Sequence, residues 1–187
     1  MNIKYYVIVV YLDNLRCFFK NCIITHYMKA ATVIQLKKEL ETLNEDHLKQ
    51  LCLRLARFKI ENKELLTYLL FESEDEAFYI EGIKEQTDQL FEEINTKSYF
   101  YIKKSVRKIL RLSKKYARYS NSKETEVELL IYYCYKLQTL KPSINNNLTL
   151  TNIYLKQIEN IEKNIIKLHE DIQFDFREKI EQLNLKH

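Results

Sequence analysis

The chain has 187 residues, enough to bury a core without disulfide or metal staples. Gly82 and Pro142 are its only Gly and Pro, which excludes the phosphate-binding loops and dinucleotide fingerprints that need glycines at fixed places. With 30 Lys and Arg against 26 Asp and Glu, the net charge is only +4, so strong basic character must come from distribution rather than total.

Few breakers favour long helices. Residues 1–27 differ from everything after them. Tyr5–Leu12 is an apolar run closed by Asp13. It is too short to span a membrane, which takes about 20 residues, and no small-residue cleavage site follows it as in a secretory signal. The expectation is a poorly ordered leader, not native to the domain, with Met28 as the working initiator and a single domain over 28–187. Thr32 and Gln35 then make a capping box for a first helix at about 32–43.

Asn44 is placed to cap a second helix, in which Leu48, Leu51, Cys52, Leu55 and Ala56 recur at helical spacing. Leu65, Leu66, Leu69 and Leu70 continue that stripe, which is expected to face the core. Ser73 and Glu76 form a second capping-box pattern, opening a helix that runs to about Ile94. Tyr79, Ile80, Ile83, Leu90, Phe91 and Ile94 are its apolar face. Glu74, Glu81, Glu85, Asp88 and Glu92 form an acidic stripe on the other side. Gly82 inside this helix has no evident reason.

The stretch KSYFYIKKSVRKILRLSKKYARYSNSK (97–123) is the most informative part of the chain. From Lys97 to Arg118 it holds nine Lys or Arg and no Asp or Glu. At about 100° per residue, Lys103, Lys104, Arg107, Lys108, Arg111, Lys114, Lys115 and Arg118 fall within an arc of roughly 140°. Ile102, Val106, Ile109, Leu110, Tyr116 and Ala117 fill an arc on the opposite side. An amphipathic helix with a buried apolar side and a wholly cationic outer side is expected.

After a polar turn at Ser120–Ser122, a helix over about 124–140 presents Val127, Leu130, Ile131, Cys134 and Leu137 to the core. Residues 141–152, with Pro142 and three consecutive Asn, read as the longest loop. The last helix reads as a single long one, its seam running from Tyr154 to Leu183 with an irregularity at Ile172–Ile180. The fold expected is all-α, an antiparallel bundle of five to seven helices with a long C-terminal helix.

The segments LCLRLARFKIENKELLTYLLFE (51–72), KKSVRKILRLSKKYARYS (103–120) and VELLIYYCYKL (127–137) resemble an uncharacterised family of small all-helical bacterial proteins. The resemblance spans most of residues 44–140. It implies one cytoplasmic helical domain with residues 1–27 extraneous to it, and it transfers no functional residue.

Chemistry is sparse. Cys17, Cys22, Cys52 and Cys134 contain no CxxC pair, which points to free thiols and a reducing cytoplasm. The residues three before His26, His47 and His169 are Ile23, Asn44 and Ile166, so the Glu-x-x-His of a di-metal bundle is missing. His169, Glu170, Asp171 and Asp175 form one acidic cluster, but neighbours on a helix diverge by about 100° and do not converge on an ion. The reading is a non-catalytic binding protein with no cofactor and no metal. Its cationic face takes an acidic protein surface, or the acidic stripe of a second copy. The alternative is RNA or a single strand, with Tyr99, Phe100, Tyr101 and Tyr119 stacking on bases. No membrane insertion is expected, and an enzyme is the minority reading.

Overall fold

The structure, a computed structural model, describes residues 29–184; the leader expected over 1–27 lies outside the described residues. The chain divides after Leu51 into two compact units. In the first, α1 (Val33–Glu41) starts at the expected capping box. Thr32 accepts from the Gln35 amide, and the Gln35 side chain in turn accepts from the Thr32 amide. Helix α2 (Glu45–Phe58) begins beyond Asn44, whose side chain accepts from the His47 amide at 2.9 Å.

The second unit, from Cys52 onward, is a helical bundle. It takes in the end of α2, α3 (Ile60–Thr67), a π-helical turn at Tyr68–Glu72, α4 (Glu76–Glu92), α5 (Tyr99–Ser120), α6 (Lys123–Gln138), α7 (Leu148–Ile165) and α8 (Glu170–Asn184). Helices are the only regular elements among the described residues. The α5–α6 turn is tight because Asn121 adopts the left-handed conformation at φ 56°, where asparagine is tolerated. Ser122 then caps α6.

Helix α6 runs through the centre. Val127, Leu130, Tyr133, Cys134 and Leu137 are fully buried against α5 and α7. Phe91 and Ile94 join this core from the end of α4, and Phe176, Ile180 and Leu183 join it from α8. A smaller cluster gathers Tyr68, Tyr79, Ile83, Ala117 and Leu129. Excluding these side chains from water, at about 25 cal/mol per Å² of apolar surface, is the main force holding the bundle together.

Four local readings change. Helix α4 is capped by Asp75, which accepts from the Phe78 amide at 2.9 Å, whereas Ser73 donates back to the Leu69 carbonyl. That frees Glu76 to accept from the hydroxyls of Tyr68, Ser120 and Thr125. The loop after α6 is shorter than 141–152. A 3-10 turn fills Ile144–Asn146, and Asn147 caps α7 through the Leu150 amide.

The terminal seam is shared by two helices, with a turn over 166–169 between α7 and α8. No Pro or Gly marks that turn. It lets α8 pack on both α6 and α7, with Gln138 donating to the Leu183 carbonyl at 2.9 Å. The fourth change concerns Leu51, Cys52, Leu55, Leu65, Leu69 and Leu70, expected in the core. All six are exposed.

Candidate binding site

Helix α5 positions the cations because its opposite side is anchored. Ile102, Val106, Ile109, Ser113 and Ala117 are buried at the spacing expected, and Leu110 is half-buried at the border. Ser113 fits the apolar side because its hydroxyl donates to the Ile109 carbonyl one turn back. With that phase set, Lys104, Arg107, Lys108, Arg111 and Arg118 project into solvent. Lys103 and Lys114, at one edge of the arc, are half-buried. None of these seven makes an ion pair among the described residues.

Lys115 is the correction. It was expected on the open face, but its Nζ lies 2.7 Å from Glu64 Oε2 and its side chain is only 14% exposed. The hydroxyl of Tyr119 donates to the same Glu64 oxygen at 2.7 Å. The ammonium also lies over the rings of Tyr116 and Tyr119. Burial pushes the Glu64 carboxyl up, but the hydrogen bonds from Lys115 and Tyr119 outweigh it and hold the group below its ordinary value. Lys115 thus fastens α5 to α3 and is withdrawn from the face.

A groove of about 650 Å³ runs beside these residues. It is lined by Lys108, Arg111, Leu112, Lys114, Lys115 and Arg118, with Glu61 and Glu126 on the same walls. Lys114 has the least hydrated charge of the free cations. Burial pulls its ammonium below the ordinary lysine value, Lys156 adds to this, and Glu126 opposes it only in part. A half-buried ammonium without an ion-pair partner is stabilised by any oxyanion that reaches it.

Of the four aromatic side chains expected at the helix ends, two are engaged. Tyr99 donates to the Ser143 carbonyl and Tyr119 to Glu64. Phe100 and Tyr101 remain exposed, edge to face, next to Lys103 and Lys104. The acidic stripe of α4 turns partly inward. Asp88 accepts from Tyr132 at 2.6 Å and pairs with Lys136 at 3.1 Å, while Glu81 pairs with Lys84 but remains exposed. Glu74, Glu85 and Glu92 stay exposed.

Nothing in the sequence pointed to Glu64, which is 51 residues from its lysine. Nor did it point to Glu128, whose carboxylate joins Lys84 of α4 at 2.9 Å to Lys179 of α8 at 2.7 Å. The exposed apolar set did leave a trace. Leu51, Leu53 and Leu55 alternate along α2, spreading leucines over more of the helix than one buried face requires.

His169 and Asp171 lie 3.4 Å apart on the surface, and among the described residues no three His, Cys, Asp or Glu side chains come together around a point that an ion could occupy. No helix of the described residues is long and apolar enough to cross a membrane. Comparison with protein-family models, with curated proteins and with solved structures finds no match.

Proposed function

We propose that this chain is a non-catalytic cytoplasmic binding protein that receives an acidic protein surface on the cationic face of α5. The observation that carries this reading is the set of seven cations on one helix side that make no ion pair among the described residues, one of them, Lys114, half-buried in the groove. Like charges one turn apart destabilise a helix by a few tenths of a kcal/mol each. Lys103, Arg107 and Arg111 stand at that spacing, as do Lys104 and Lys108, so an anionic partner offsets a repulsion built into the helix.

A protein surface suits this groove better than a polyphosphate chain because Glu61 and Glu126 share its walls. The two carboxylates accept from the ammonium, guanidinium and hydroxyl donors that a folded acidic surface also carries and a phosphate backbone lacks. The free thiols of Cys52 and Cys134 accord with a reducing compartment, and burial pushes that of Cys134 up to about 12, leaving it inert. Exposed Phe100 and Tyr101 favour a second reading, in which a single-stranded nucleic acid lies on the same face.

Fluorescence titration with labelled poly-glutamate and with a labelled oligonucleotide, at low and high salt, separates the readings. Poly-glutamate is expected to bind, and the double substitution Arg107→Glu with Arg111→Glu to weaken it at least tenfold while the circular dichroism spectrum stays helical. Preference for a single-stranded oligonucleotide, with a log–log salt slope near −3.5 for about five phosphates, gives the face to nucleic acid instead. Salt-reversible self-association in sedimentation gives it to Glu81, Glu85 and Glu92 of a second copy. If the double reversal changes none of these, the face is only solvated.

A further inference from the structure

An extended exposed apolar surface of the second unit lies along the end of α2, α3 and the π-helical turn that follows. Leu53, Ile60, Leu70 and Phe71 are 51%, 67%, 63% and 78% exposed. Together with Ala56 and Leu66 they line a groove of about 640 Å³. An apolar surface of this kind, left uncovered by its own bundle, marks a place where another apolar surface is received. The α3 segment and its π-helical turn, residues 60–72, run for about 20 Å, which matches three to four turns of a ligand helix.

The charges around the groove select the occupant. Among the described residues its charged lining is Arg57 and Lys63, both cationic. Helix α3 also borders the basic groove, through Glu61, so the apolar groove and the cationic face of α5 lie on either side of one helix.

We infer that this groove docks an amphipathic helix with an acidic rim, presented by the same acidic partner that α5 receives. Its apolar residues at i, i+3 or i+4 and i+7 enter between Leu53 and Phe71, and its carboxylates meet Arg57 and Lys63. The inference rests on the protein-partner reading of the α5 face.

A second copy of this chain fits less well. A symmetric contact through the groove sets Arg57 and Lys63 against their own equivalents. The acidic helix α4 of a second copy offers a single exposed apolar anchor, Phe78, because Tyr79, Ile83 and Phe91 are buried.

The test uses the full chain and three labelled probes. They are a synthetic helical peptide of about five turns with leucines along one face and glutamates elsewhere, the same residues in scrambled order, and poly-glutamate. The groove variant is Leu53→Gln with Leu70→Gln, two exposed positions changed without altering charge. It is expected to lower affinity for the amphipathic peptide at least tenfold, to keep the parent's circular dichroism spectrum and to leave poly-glutamate binding unchanged. The scrambled peptide is expected to bind no better than poly-glutamate.

Absence of peptide binding by the parent overturns the inference. So does equal binding by the groove variant, equal binding of the scrambled peptide, or a parent dimer in sedimentation that the variant abolishes. If the amphipathic peptide binds and responds to the groove variant while poly-glutamate does not bind at all, the groove stands and the reading of the α5 face fails.

Discussion

Lys115 and Glu64 meet at 2.7 Å across 51 residues of sequence, and this contact removes one of eight helix cations from the surface that the other seven form. The ammonium is held by a carboxylate that also accepts from Tyr119, so it acts as a fastener between α5 and α3. Arg111, one turn earlier on the same helix, is exposed and makes no ion pair among the described residues. The two positions should therefore respond oppositely to the same substitution.

Lys115→Met is expected to destabilise the fold by about 1–2 kcal/mol, the range for a charge-assisted hydrogen bond that is partly open to water. Arg111→Met should change stability by less than about 0.5 kcal/mol but weaken poly-glutamate binding several-fold. Urea denaturation and the fluorescence titration read the two effects separately. Loss of binding without loss of stability in Lys115→Met would return that residue to the face.

Glu128 joins three helices, and its carboxyl should make the fold acid-sensitive. Burial pushes its pKa up, but the hydrogen bonds and charges of Lys179 and Lys84 outweigh this and hold it below the ordinary value of 4.5. Glu64 and Glu76 shift in the same direction. A folded pKa below the unfolded one contributes stability that is present above the unfolded value and lost as pH falls through the folded one. The melting temperature should drop steeply below pH 4.5 in the parent. Glu128→Gln should start lower at neutral pH and fall less steeply. Parallel acid limbs for the two proteins would mean that Glu128 is not a source of the effect.

Gly82 is exposed within α4, its φ is not positive, and a Cβ added there meets no atom within 4 Å. Nothing in its surroundings uses the missing side chain. Gly82→Ala should stabilise the protein by about 0.5–1 kcal/mol, because alanine loses less backbone entropy in a helix. Differential scanning calorimetry should show a rise of a few degrees, and a lowered transition would reveal a constraint at this position.

Ile109 is 2% exposed at the centre of the apolar side of α5, and Ser105 is half-buried at its margin. Ile109→Ala should cost about 2–5 kcal/mol, combining lost transfer energy with the cavity left behind. Ser105→Ala should stay within about 0.5 kcal/mol of the parent. Similar losses from the two changes, measured by chemical denaturation, would show that the helix is rotated from the phase described.

The sequence by itself determined the all-α class, the phase of α5 and most of the core of α6. Those follow from scarce breakers and from apolar residues recurring at the helical period, both local properties. The same locality explains the caps at Thr32 and Asn44, where a side chain bonds an amide three residues on. The tertiary structure decided what depends on distant neighbours. It turned Lys115 inward, because Glu64 comes to lie beside it. It divided the terminal seam at 166–169, because α8 buries Phe176, Ile180 and Leu183 by packing on two helices at once. It also left Leu53, Leu70 and Phe71 exposed, although their pattern resembles that of a buried helix. Periodicity records which side of a helix avoids water; whether the bundle or a partner covers that side is decided by where the other helices pack.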